Sequence, residues 1–250
     1  MAALTQQVAP GVHRVADGIV NWYLIGDETG VALVDTGWPR SWPKVQQAVR
    51  ELGRSLQDVR AVLLTHGHGD HLGAAEKVRQ AGVPVWAHRD EVARVQGKAK
   101  GSSSFALVPG LLPHLWRPRA LGFVLHASAH GFMTPKWVKE VIPLDESSLL
   151  DLPGRPRAVA TPGHTEGHTS YHLPDLGVLL AGDALVTLDV LTRQRGPRLM
   201  PDPVQSDPGR AKTSLAVLEP VEATMLLPGH GEPWQGSIAE AVAQARAAVR

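Results

Sequence analysis

Four side chains able to bind a metal crowd into Thr65-His66-Gly67-His68-Gly69-Asp70-His71, directly behind the apolar run Ala61-Val62-Leu63-Leu64. At this chain's own His and Asp frequencies, such a pattern arises by accident in about one chain of this length per thousand. Gly67 and Gly69 free the backbone so that alternate side chains can converge. His66 and His68 can then share one point while Asp70 and His71, further along the loop, reach a neighbouring one. That spacing asks for two ions side by side. Imidazole with carboxylate suits Zn2+ first, with Fe, Mn or Ni as alternatives.

Three later loops, each behind a strand-like run, carry one more ligand type apiece: Thr161-Pro162-Gly163-His164, Gly182-Asp183 and Pro228-Gly229-His230. In α/β architectures the loops at strand ends gather into one site although they lie far apart in the chain. The expected division is His66, His68 and His164 around one ion and Asp70, His71 and His230 around the other, with Asp183 bridging both. Two ions about 3.5–4 Å apart lower the pKa of a shared water towards neutrality and polarise a carbonyl or phosphoryl oxygen. Asp70, a ligand beside that water, is the candidate proton relay.

The elements that must carry these loops follow from pattern. Ile19 to Ile25 and Val31 to Asp35 read as paired strands joined by Gly26-Asp27-Glu28-Thr29-Gly30. Ser41 is expected to cap a helix with Pro43 in its first turn, Val45, Val49 and Leu52 at helical spacing and Gly53 as its stop. The strand Ala61 to Leu64 leads into the ligand loop, Leu72, Ala75 and Val78 mark a second helix, and Pro84 to Ala87 returns as a strand. Further strands are expected at Arg157 to Thr161, His168 to Leu173, Val178 to Ala181 and Ala223 to Leu227. Ser237 and Glu240 form a capping box for a last helix striped by Ile238, Ala241, Val242 and Ala245.

Composition frames the function. The chain has 250 residues, 43% hydrophobic, 20% charged, with a net charge of +1, which suits a single globular domain over 1–250 with no bias towards polyanions. Nucleic acid is not an expected partner. No basic leader with an apolar core opens the sequence, and no run of about 18 apolar residues occurs, so a cytoplasmic location without membrane insertion is expected. Cysteine is absent, which leaves His and carboxylate as the metal ligands.

With Leu33-Val34-Asp35-Thr36-Gly37, T-H-x-H-x-D-H, P-G-H-T-x-G-H, G-D and the final G-H in that order, the chain resembles the metallo-β-lactamase-fold superfamily, which includes glyoxalase II, acyl-homoserine-lactone lactonases, RNase Z and persulfide dioxygenases. All seven ligand positions are filled. The resemblance implies an α/β fold, an αββα sandwich of two mixed sheets flanked by helices, with two divalent metal ions at one end. It further implies that Asp35 and Thr65 support the metal loop, and that His168 of P-G-H-T-x-G-H binds no metal. His13, His88, His114, His126, His130 and His172 are given no role.

Departures from the relatives narrow the substrate. Only a short helix follows His230, and Gly182-Asp183-Ala184-Leu185-Val186 lacks the Gly- and Cys-containing continuation of glyoxalase II. The tyrosine that lactonases place after the bridging Asp is Val186 or a neighbour here, and the near-neutral charge supplies no RNA exosite. The expected enzyme is a metallohydrolase cleaving a small ester, lactone or thioester with an apolar portion. The alternatives are a mononuclear iron enzyme of the persulfide dioxygenase kind, then a β-lactamase, a phosphodiesterase or a non-catalytic binding module. The stretch of about 97–140 reads as an apolar insertion that fits no regular element, either a lid, a core-packing piece or a homodimer interface. Phe105, Leu111, Trp116, Phe123 and Phe132 are its candidate substrate contacts, and Arg193 could meet an anionic group of a small-molecule substrate.

Overall fold

Apolar runs without alternation, such as Val20 to Ile25 and Val178 to Ala181, form strands covered on both faces. The computed structural model describes residues 3–145 and 147–248. The first sheet holds β1 (Thr5–Ala9), β2 (Val12–Asp17), β3 (Val20–Asp27), β4 (Gly30–Val34), β5 (Val59–Leu63), β6 (Val85–His88) and β7 (Ile142–Leu144) in that order, antiparallel as far as β4 and parallel beyond it. The second holds β8 (Arg157–Ala160), β9 (Thr169–Leu173) and β10 (Val178–Gly182). After a separate hairpin, β11 (Val186–Leu188) with β12 (Arg195–Arg198), it is completed by β13 (Met225–Pro228) and β14 (Trp234–Gln235), in the order β14-β13-β10-β9-β8.

The two-residue period of each strand divides its side chains between layers. Tyr23, Ile25, Ala32, Val34 and Leu63 of the first sheet meet Ala158, Tyr171, Leu173, Val178, Leu180 and Leu227 of the second. Trp22, Leu24, Leu33 and Val62 face the other way, onto Val45, Ala48 and Val49 of α1 (Trp42–Glu51) and onto Ala75 and Val78 of α2 (Ala75–Gln80). Of the remaining helices, α3 (Val92–Val95) precedes β7, as do α4 (Val108–Leu111) and α5 (Pro118–Ala129), while α6 (Pro208–Leu218) and α7 (Ile238–Ala248) cover Leu179, Ala181 and Leu226. This is the expected αββα sandwich.

Two local expectations are corrected. Ser41 occupies the position before α1, but its hydroxyl makes no bond to the helix; it accepts from the Trp38 N–H at 3.0 Å and donates to Asp17. The 97–140 segment is not devoid of regular structure: α5 is a three-turn helix whose Ala120, Phe123 and Ala127 are buried. Pro109, Pro113 and Pro118 read as breakers, yet each stands in the first turn of a helix, where a missing N–H leaves no bond unmade. Arg117, held extended before Pro118, supplies the turn-in. No helix among the described residues is long and apolar enough to cross a membrane.

Candidate metal centre

Each ligand stands at the C-terminal end of a strand. The loop 64–71 leaves β5, the His164 loop leaves β8, Asp183 follows β10 and His230 follows β13. Strands β8, β10 and β13 run in one direction, so their loops open on the same edge. The two sheets are tied there by the only two tyrosines of the chain. Tyr23 of the first sheet donates to the Pro228 carbonyl at 2.7 Å, and Tyr171 of the second donates to the Leu64 carbonyl at 2.9 Å. Both hydroxyls are buried, and burial keeps them protonated as donors. Tyr171→Phe leaves the Leu64 carbonyl unpaired in the core, and a loss of about 1–3 kcal/mol in urea unfolding is the expected result; an unchanged midpoint would show that the tie carries no stability.

The seven expected ligands come together. His66 Nε2 and His164 Nε2 lie 3.1 and 2.9 Å from His68 Nδ1. His230 Nε2 and His71 Nε2 lie 3.5 and 3.9 Å from Asp70 Oδ2. Asp183 stands between the groups: Oδ2 is 3.3 Å from His230, 3.4 Å from His164 and 3.9 Å from His66, and Oδ1 is 3.5 Å from His71. A Cβ at Gly229 would fall 2.1 Å from Asp183 Oδ1, so the residue before His230 must be glycine for this carboxylate to sit where it does.

Hydrogen bonds on the far side of the rings decide what faces inward. Asp35 ends β4 at φ 61° and is buried. It accepts from the Thr65 N–H, the Thr65 hydroxyl and His71 Nδ1, each at 2.8 Å. The Thr65 hydroxyl, having donated to Asp35, accepts from His66 Nδ1 at 3.0 Å, and His230 Nδ1 donates to the Ile19 carbonyl at 2.7 Å. His66, His71 and His230 therefore turn Nε2 to the centre, as metal-ligating imidazoles do when their other nitrogen is held by an acceptor. His71 Nε2 and Asp183 Oδ1 are fully buried with no hydrogen-bond partner among the described residues.

The electrostatics agree. Burial drives His66 and His68 well below the usual range and His164 down to about 3, so these three are neutral and keep a lone pair to offer. Burial also opposes charge on His71, but Asp183, Asp70 and Asp35 outweigh it and hold it at about 10. Burial would raise Asp183; His230 and His71 reverse this and keep it ionised. The carboxylates thus draw positive charge into the centre, a demand that a divalent ion held by these residues would meet in place of the His71 proton. The donor set fits divalent metal.

Two supporting side chains were not legible as such. Both ring nitrogens of His168 are occupied within the protein: Nε2 accepts from the Asp183 N–H at 3.0 Å while Nδ1 meets the Thr161 hydroxyl at 2.8 Å. Burial lowers its pKa to about 4, which preserves that lone pair. Glu91 is fully buried just ahead of α3 and accepts from Gly67 N–H through Oε1 and from Gly167 N–H through Oε2, both at 2.8 Å. One carboxylate thus spans the two histidine loops. In Glu91→Gln one of those N–H groups faces an amide N–H, and a drop in zinc affinity of about tenfold is expected, read by competition with a chelator; wild-type affinity would show that the loops hold themselves.

The remaining candidates divide. Phe132 is buried against Trp38, Val20 and Ala127, and a Cβ on Gly69 would lie 3.3 Å from its ring. Leu111 and Phe123 pack inward on Val186, Val190, Leu191 and Met200. Phe105 and Trp116 are not brought to the centre's enclosed side; both project into solvent, 63% and 77% exposed. Arg193, at φ 63°, donates its N–H to Asp189 in the loop between β11 and β12.

A family model described as the metallo-beta-lactamase superfamily matches residues 15–230. The probable metallo-hydrolase YflN of Bacillus subtilis is 32% identical over 92% of this chain and 87% of its own length. The hydroxyacylglutathione hydrolase GloC of Haemophilus influenzae is 27% identical over 64% of this chain and 63% of its own. Among solved structures, a metallo-beta-lactamase family protein from Thermus thermophilus superposes with a TM-score of 0.69 at 27% identity, covering 97% of this chain and 80% of that one.

Proposed function

From the premise that this chain belongs to the metallo-beta-lactamase superfamily and is a metallohydrolase, we propose that it uses two divalent ions, zinc first, to hydrolyse a small ester, lactone or thioester with an apolar portion. The observation that carries the reading is Asp183, whose two oxygens address histidines of both ligand groups at 3.3–3.9 Å. His66, His68 and His164 would hold one ion and Asp70, His71 and His230 the other. Bound there, the pair supplies an acidified water and a Lewis acid for the oxygen of the scissile carbonyl.

The protein's own groups do the rest. Asp35 and the Ile19 carbonyl fix the rings of His71 and His230, so the ligand nitrogens need little reorganisation. Asp70, whose Oδ2 lies 3.5 Å from His230 and 3.9 Å from His71, would take the proton. Burial raises its carboxyl above the usual range, which His71 and His230 only partly offset, and a stronger base takes up a proton more readily. Phe132, against Gly69 of the ligand loop, offers an apolar wall close to the chemistry. GloC, named for hydroxyacylglutathione, supports an acyl substrate.

The test is kcat/KM for lactones, esters and thioesters of increasing acyl length on enzyme reconstituted with zinc. Rates that rise with chain length are expected and would place the acyl group against Phe132. Flat or absent turnover in a protein shown to hold its metal would sink this substrate class.

A further inference from the structure

Of the eight large apolar side chains exposed among the described residues, five fall within a short stretch: Phe105 (63%), Leu112 (58%), Trp116 (77%), Leu121 (42%) and Leu125 (61%). Soluble chains seldom leave such side chains together without a partner. The inner face of the same stretch is already satisfied, since Leu111, Ala120 and Phe123 pack on Val186, Val190 and Met200. The outer leucines are therefore not core residues displaced from their place. Arg117, Leu121 and Leu125 stand one turn apart along one side of α5 and its approach.

Charge says what the face meets. From Val92 to Lys139 the chain carries Arg94, Lys98, Lys100, Arg117, Arg119, Lys136 and Lys139 and not one Asp or Glu, where its own acidic frequency would put roughly four or five. The whole-chain balance of +1 hides this local excess. Arg94 is buried against Glu91 and Glu166, but the Arg117 guanidinium lies over the exposed Trp116 ring, 5.1 Å from its centroid. Exposed Trp and Leu beside uncompensated cations match the boundary of an anionic bilayer, where the ring enters the interface and the cations stay with the headgroups. A second copy of the chain fits less well: an isologous contact through this face would bring two faces of the same positive charge together.

We propose that the outer face of residues 105–125 docks the protein peripherally onto membranes containing anionic phospholipid. The test is co-sedimentation of the full chain with vesicles of phosphatidylcholine alone and of phosphatidylcholine mixed with phosphatidylglycerol, at low and high salt. Binding is expected only to the anionic vesicles, weakening with salt. It should fall by at least about tenfold in W116S/L121S/L125S, whose removed side chains supply the apolar contact, and in R117E, with thermal unfolding unchanged in both because these side chains are exposed. Failure of the wild type to bind anionic vesicles at low salt overturns the proposal, as does equal binding by both variants. A wild-type dimer in solution that W116S/L121S/L125S converts to monomer would assign the face to a second copy instead.

Discussion

Asp183→Asn is expected to lower kcat/KM by about a thousandfold or more. The substitution keeps the shape and removes the charge at the one carboxylate that addresses both ligand groups, between 3.3 Å from His230 and 3.9 Å from His66. The amide oxygen can serve one group; the amide nitrogen, turned to the other, presents protons where a metal needs a lone pair. With Asp183 uncharged, only Asp70 and Asp35 remain to draw positive charge towards His71, so the hold of the centre on a cation weakens as well. Bound metal, measured by atomic emission after dialysis, should drop from two equivalents to one or fewer, and excess zinc should not restore activity. A variant that keeps both its metal and its rate would remove Asp183 from the centre.

Asp35→Asn should behave differently, because Asp35 reaches the centre only through other residues. Its two oxygens accept three bonds, from the Thr65 N–H, the Thr65 hydroxyl and His71 Nδ1. Asparagine has one acceptor oxygen for these donors, so at least one buried donor meets an N–H. A loss of about 3 kcal/mol in stability is expected, the cost of breaking a buried charged network. Zinc affinity should fall about 10–100-fold as His71 loses its orienting bond, whereas kcat at saturating zinc should return close to wild type. That rescue separates a positioning role from ligation and contrasts with Asp183→Asn. The backbone supplies a second comparison. Asp35 sits at φ 61°, a region asparagine tolerates and alanine does not, so Asp35→Ala should cost about 1–2 kcal/mol beyond Asp35→Asn. Equal unfolding midpoints for the two variants would show that the strain is not felt.

Much of the centre was legible in the chain because its parts are local. His66, His68, Asp70 and His71 occupy one loop, with glycine between them and an apolar run before them. The other three ligands each end a strand-like run beside a glycine. The αββα layering came from the superfamily likeness, and the absence of alternation in Val20 to Ile25 and Val178 to Ala181 is its local expression. The insertion misled for a physical reason: Pro109, Pro113 and Pro118 begin helices here instead of breaking them. Phe105 and Trp116, taken for substrate contacts by their apolarity, lie on the outer face of α4, α5 and their connections, while Leu111 and Phe123 lie on the inner one. A helix apolar on both sides does not announce which side is buried.

The sequence by itself determined which groups could bind metal, in what order the chain presents them and that no thiol competes. These properties belong to residue types and short spacings. Only the tertiary structure decided that Asp183 lies between both histidine groups, that Glu91 spans Gly67 and Gly167, that His168 holds the Asp183 backbone, and that Tyr23 and Tyr171 stitch opposite sheets at the rim. Each of these joins atoms far apart in the chain, through hydrogen bonds whose strength depends on ångström-scale placement and burial. No local pattern of residues encodes such distances until the two sheets have closed on one another.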